Sequence, residues 1–301
     1  MERLTLPDGD FLDVAWGPPA EGPLLLVIHG LEGSVQSHYA RGLLASAADR
    51  GWQGLVLHFR GCSGEPNRGR RRYHAGDITD LAWFHARLRE RWPARPLYTA
   101  GFSLGGSALL HFLAAAAHAP VHPLAAAAVS VPFHLEDCAR RLERGFSRLY
   151  QRALLRRLVR SHEDKRRRYP RLRLPGIPPG TRTFRAFDDA VTAPLHGFAG
   201  VEDYYRRCSP APALGRIRVP TLVVHARDDP FMFPSTAPGP GDVAGGAVRV
   251  EIARGGGHVG FVHGPPWRPC YWLEQRLMGH FLERERARRE GPRNRPVSES
   301  E

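Results

Sequence analysis

Residues Pro96–Leu113 read PLYTAGFSLGGSALLHFL. A short apolar run, Leu97 to Ala100, enters a turn, and an Ala/Leu-rich helical pattern leaves it. The turn, Gly101-Phe102-Ser103-Leu104-Gly105, has the G-x-S-x-G spacing of a nucleophile elbow. A serine on a sharp strand-to-helix turn sits in strained backbone, and side chains two residues to either side would collide, which glycine avoids. The following helix points its N-terminus, with unpaired N–H groups and partial positive charge, at the place where an oxyanion would develop.

The flanking chain alternates. Residues 3–16 hold two strand-like pieces around the Pro7-Asp8-Gly9-Asp10 turn signal and predict a hairpin. Leu24 to Ile28 is a continuous apolar run, as a strand buried on both faces requires, and ends in the polar turn His29-Gly30-Leu31-Glu32-Gly33-Ser34. A helix to about Arg50, a strand over 54–59, a long loop and a helix from Asp77 to about Trp92 precede the elbow. A helix to about His118 and a strand over 125–131 follow it. This pattern predicts an α/β fold, a doubly wound, mostly parallel sheet.

From 133 to 214 the alternation stops, then resumes with strands over 220–225 and 247–253 and a helix over 269–283. We therefore expect a core over 1–132, a helical lid insertion over 133–214, a second part of the core over 215–285, and a charged, disordered tail over 286–301. Within the lid, Leu142, Phe146, Leu149 and Ala153 recur at helical spacing. This stripe is expected to pack over Ser103, while Arg148, Arg152, Arg156, Arg157 and Arg160 face water, a basic face that also suits an anionic lipid surface.

A serine at an elbow needs a base and an acid that orients it, in the order Ser, Asp/Glu, His for α/β hydrolases. The strand over 221–225 runs into Ala226-Arg227-Asp228-Asp229-Pro230, and the next strand into Gly255-Gly256-Gly257-His258-Val259-Gly260. Each signal alone is weak: Asp-Asp-Pro commonly starts a turn, and a histidine among glycines is commonly a solvated loop residue. Their force lies in conjunction, each at the end of its own strand and in the required order. Ser103, Asp229 and His258 are the catalytic candidates, with Asp228 read as a turn or cap acid beside Asp229. The backbone N–H groups of Leu31 and Leu104 are the candidate oxyanion hole, and His29 is read as a structural hydrogen-bonder.

The 301 residues, 42% of them hydrophobic, suffice for a large buried core. No run approaches the roughly 18 apolar residues of a membrane span, and the N-terminus shows no apolar signal core. Cys62, Cys138, Cys208 and Cys270 are widely spaced, so reduced thiols in a cytoplasmic protein, peripheral at the inner membrane face, are expected. No H-E-x-x-H or paired-cysteine spacing occurs, and neither metal nor cofactor is expected. The net charge of +13 is almost all arginine, Lys165 being the only lysine. It raises a rival reading, a nucleic-acid or acidic-surface binder on a hydrolase scaffold. The run Lys165-Arg166-Arg167-Arg168 carries no interleaved aromatics, however, and reads as a solvated helix face, so no nucleic acid is expected.

At HGLEGS (29–34), HFRGCSGEPNR (58–68), YHAGD (73–77), GFSLGG (101–106), GFSRLYQR (145–152), FDDAVTAPLHGF (187–198), HARDDPFM (225–232) and GGHVGF (256–261) the sequence resembles the YheT-type branch of α/β hydrolases. The resemblance covers most of residues 4–285. It implies carboxylic-ester hydrolysis on a small-molecule or lipid ester through Ser103, Asp229 and His258, in a branch with eukaryotic relatives acting on phospholipids. Family members usually carry a further N-terminal segment, and the lid and tail here are richer in arginine. Thioesterase, acyltransferase and peptidase chemistries share the same three residues. Dehalogenation, which puts a carboxylate where Ser103 stands, does not.

Overall fold

The computed structural model describes residues 1–239, 243, 246–265 and 267–290. Its centre is an eight-stranded sheet in the order β1-β2-β4-β3-β5-β6-β7-β8. The strands are β1 (Glu2–Thr5), β2 (Phe11–Trp16), β3 (Leu24–Ile28), β4 (Gln53–Leu57), β5 (Leu97–Phe102), β6 (Ala125–Val129), β7 (Thr221–Ala226) and β8 (Val248–Ala253). The hairpin β1–β2 is antiparallel and β2 is antiparallel to β4. From β4 to β8 every pairing is parallel, so the fold class read from the sequence holds.

Continuous apolar runs became central strands because helices cover both faces. Along β3, Leu24, Leu26 and Ile28 enter one core and Leu25 and Val27 the other, all at most 1% exposed. The first core lies under α2 (Thr79–Arg91) and α3 (Leu104–Ala114). The second lies under α1 (His38–Ala48) and, past the lid, the last helix, Trp272–Glu290. Truncating a side chain such as Leu26 to Ala would cost about 2–5 kcal/mol.

Between β6 and β7 the chain forms α4 (Leu135–Leu142), α5 (Ser147–Arg168), α6 (Phe184–Phe187), a π-helical turn (Asp188–Thr192), α7 (Ala193–Leu195) and α8 (Val201–Cys208). The last helix is α9, and a small ladder of β9 (Val262–His263) with β10 (Cys270–Tyr271) precedes it. The insertion has an apolar cluster of its own, including Leu142, Leu155, Leu158, Phe184, Phe187 and Tyr204.

Three expectations need correction. Of the apolar stripe expected in the lid, Leu142 at the end of α4 is buried, but Phe146 and Leu149 are 70% and 58% exposed and Ala153 is exposed. The face that packs inward is Ser147, Gln151, Leu155, Leu158, His162 and Lys165, four of the six polar. Lys165 is thus no member of a solvated face. It is 1% exposed, and its Nζ donates to Asn67 Oδ1 at 2.7 Å and to the Arg71 carbonyl at 3.3 Å. Asn67 in turn donates to Asp10, which accepts from Arg60, and Arg60 grips Asp80 through two nitrogens at 2.6 and 2.7 Å. This buried polar chain ties the β1–β2 turn, the 60–72 loop and α2 to the lid. Third, α9 continues to Glu290, into the expected tail, because the buried Glu285 carboxylate accepts from Tyr98, Arg288 and Arg289. Residues 291–301, the rest of that expected tail, lie outside the described residues.

Candidate active site

Ser103 stands between β5 and α3 with φ +51° and ψ −120°, left-handed backbone that a non-glycine residue adopts only when its surroundings force it. The force is visible at its neighbours. A Cβ on Gly105 would lie 2.3 Å from the His29 carbonyl oxygen, and one on Gly101 would lie 2.6 Å from that of Gly105. Close packing of the elbow on the end of β3 thus requires both glycines.

Three loops converge on this serine. The Ser103 hydroxyl donates to His258 Nε2 at 2.9 Å. His258 Nδ1–H donates to Asp229 Oδ2 at 2.9 Å, and Asp229, 3% exposed, also accepts the Phe231 N–H at 2.8 Å. A carboxylate on Nδ1 fixes the proton there and leaves Nε2 to accept. Asp228 turns away from the ring and takes the Gly257 N–H at 3.0 Å, bracing the loop that carries His258. The two neighbouring acids therefore divide, Asp229 on the imidazole and Asp228 on the backbone.

The candidate oxyanion donors lie on either side of the serine. Leu104 is the first residue of α3, and Leu31 follows Gly30, whose Cβ would meet that of Ser103 at 3.2 Å. Among the described residues neither N–H is taken by a protein acceptor. His29 is fully buried, donating from Nδ1 to the Gly30 carbonyl at 2.7 Å and accepting the Phe59 N–H at 3.1 Å. Burial pulls it down to about 3, so it stays neutral and structural.

Several site residues were not read from the sequence, although motifs quoted for the resemblance contain them. Phe231 stacks on His258 at 4.0 Å and 16°, fixing the plane of the ring. Glu32, at φ +49°, is held by Tyr73, and its carboxylate takes Arg72 Nη2 at 3.1 Å. Arg72 also donates to Ser161 of α5 at 2.9 Å, so the loop bearing Leu31 is tied to the lid.

From Ser103 a slot runs under the lid, walled by residues such as Leu31, Leu135, Leu142, Leu158, Phe184 and Met232. Two histidines of its lining are neutralised: burial, with neighbouring cations, pulls His74 to about 2 and His196 to about 4. Asp188 is pushed up to about 6 by burial, against hydroxyls donated by Thr192 and Tyr205. A mostly apolar slot beside a paired serine suits an acyl chain.

Sheet, elbow and slot together define an α/β hydrolase. The chain belongs to the α/β-hydrolase fold family, whose sequence model matches residues 23–265, and it stands among the esterase- and lipase-type members. It is 46% identical over 288 residues, 92% of this chain and 82% of its relative, to the Escherichia coli (strain K12) protein named "Putative esterase YheT". It is 30% identical over 218 residues to "Monoacylglycerol lipase" of Saccharomyces cerevisiae, covering 70% of this chain and 48% of that protein, so it spans about half the yeast protein's length. The solved Pyrococcus furiosus esterase Pf2001 superposes with a TM-score of 0.59 over 94% of this chain and 91% of its own, at 15% identity, a likeness of fold alone.

Proposed function

We propose that this chain is a serine hydrolase that cleaves carboxylic esters, either of short- to medium-chain acyl groups or of lipids, through an acyl-enzyme. Ser103 Oγ attacks the ester carbonyl carbon while its proton passes to His258 Nε2. The oxyanion so formed is stabilised by the Leu31 and Leu104 N–H groups, and Asp229 holds the imidazolium through Nδ1–H. The carbon–oxygen bond then breaks, and His258 returns the proton to the departing alcohol. Water attacks the acyl-enzyme with the same base, releasing the acid and regenerating Ser103.

The observation that carries the reading is the unbroken hydrogen-bonded line from Ser103 Oγ through His258 to Asp229, 2.9 Å at each step, opening on an apolar slot. The esterase and lipase names of the relatives support it. Four free cysteines support a reducing, cytoplasmic setting, and the arginine-rich lid supports peripheral contact with an anionic membrane surface. A fluorophosphonate probe should label Ser103, and p-nitrophenyl esters of increasing acyl length should report the slot's preference. Absence of labelling together with absence of turnover on every ester would refute the proposal.

A further inference from the structure

The outward face of α5 changes character along its length. Its first turns and the residue before them expose Phe146, Leu149 and Tyr150 at 70%, 58% and 40%, with Ala153 beside them. Further along, the same outward face carries the exposed Arg156, Arg157 and Arg160. Among the described residues no carboxylate pairs with Arg148, Arg152, Arg156 or Arg157, and Arg160 meets Asp164 only at 3.9 Å. Three large apolar side chains in water at one helix end are costly unless something covers them.

The apolar end lies at the mouth of the site. Phe146 packs against Tyr150 at 5.7 Å, Tyr150 against Phe231 at 5.3 Å, and Phe231 stacks on His258 at 4.0 Å. A continuous ladder of rings thus joins the exposed tip to the proposed base. Directly after the His258 loop, β9, β10 and the connection between them add exposed Val262, Tyr271 and Trp267.

We infer that the outward face of α5 docks on an anionic lipid bilayer, with Phe146, Leu149 and Tyr150 entering the acyl boundary and Arg156, Arg157 and Arg160 meeting headgroup phosphates. The inference rests on the ester-hydrolase reading only in naming what is delivered, a membrane-resident ester whose acyl chain passes beside Phe231 into the slot. An apolar tip continuous with a basic shaft matches the depth profile of a membrane surface, with aromatic and aliphatic groups below and cations at the phosphates. A soluble ester needs neither element.

Flotation of the full chain with phosphatidylglycerol vesicles, and separately with phosphatidylcholine vesicles, tests the docking. Retention on phosphatidylglycerol should exceed that on phosphatidylcholine and fall as salt rises. The Arg156→Gln/Arg157→Gln/Arg160→Gln variant should lose roughly 100-fold in partition, at about 1 kcal/mol for each arginine. Phe146→Ser/Leu149→Ser, at exposed positions that leave the core intact, should weaken binding to vesicles of either lipid. Both variants should hydrolyse soluble p-nitrophenyl butyrate at the wild-type rate. Equal retention on the two lipids, retention unchanged in both variants, or burial of this face in a dimer or a soluble protein complex would overturn the docking. Failure of the wild type to hydrolyse the soluble ester while still floating would instead overturn the esterase reading and leave the docking standing.

Discussion

The Tyr73 hydroxyl donates to the Glu32 carboxylate at 2.7 Å and accepts the Glu32 backbone N–H at 2.9 Å. One phenol thereby closes a ring around a residue whose φ of +49° no ordinary loop would hold, one position after the proposed oxyanion donor Leu31. Tyr73→Phe breaks both bonds and keeps the stack on Phe59. Its kcat should fall about tenfold, part of the 10²–10³ of a lost donor, with KM nearly unchanged. A rise in KM at constant kcat would show that the brace shapes the slot and not the oxyanion site.

For the proposed triad, Ser103→Ala and His258→Ala should each lower kcat by on the order of 10³ or more, and the double variant little further, because the two act as a unit. Asp229→Asn should leave KM near wild type and misorient the imidazole. Asp228→Asn keeps an acceptor for the Gly257 N–H and should cost much less. Steady-state kinetics on one ester decides; a larger loss at Asp228 than at Asp229 would reverse their roles.

Gly105→Ala tests the packing of the elbow. The added methyl would stand 2.3 Å from the His29 carbonyl and 2.6 Å from that of Ile28, both rigid strand-end backbone. Stability in urea should drop by about 3 kcal/mol, with activity lost as Ser103 shifts. Gly215→Ala, where a Cβ meets nothing within 4 Å, should stay within about 0.5 kcal/mol of wild type.

Lys165 gives stability a pH signature. Burial, then repulsion from Arg72 against attraction by Asp10, pulls its ammonium from 10.5 to about 7. Between these values the unfolded chain binds more protons than the folded one. The cost of burying the charge is therefore complete below pH 7 and fades as pH rises towards 10.5. Stability of the wild type relative to Lys165→Met should climb with pH across that window, by at most about 1.4 kcal/mol per unit. Urea unfolding of both proteins at pH 7, 8 and 9 reads the difference, and a flat difference would mean that Lys165 titrates normally.

What the sequence made legible was whatever rests on local chemistry. Leu24 to Ile28 and Leu222 to Val224 are apolar throughout, as central strands require, and the glycines around Ser103 announce the elbow. His258 and Asp229 stand out as candidates because each lies in the loop that follows a strand. Lys165 was opaque, since its partners Asn67 and Arg71 lie in a remote loop that α5 reaches only in the folded chain. The orientation of α5 misled for a related reason. Two stripes compete at helical spacing, and the more apolar one, Phe146-Leu149-Ala153, lost to the face bearing Gln151, His162 and Lys165, whose polar groups find buried partners. Phe231 and Glu32 act through tertiary contacts that no local pattern encodes.

The hydrogen bond between Ser103 and His258 spans 155 positions of chain. At about 5–20 residues per second, the proposed nucleophile leaves the ribosome roughly 8–30 s before its base. Throughout that interval the growing polypeptide carries Ser103 without His258, the base proposed to take its proton. On the proposed mechanism, hydrolytic competence waits until β8 has joined the edge of the sheet, and a chain ending anywhere in the lid should turn over no ester.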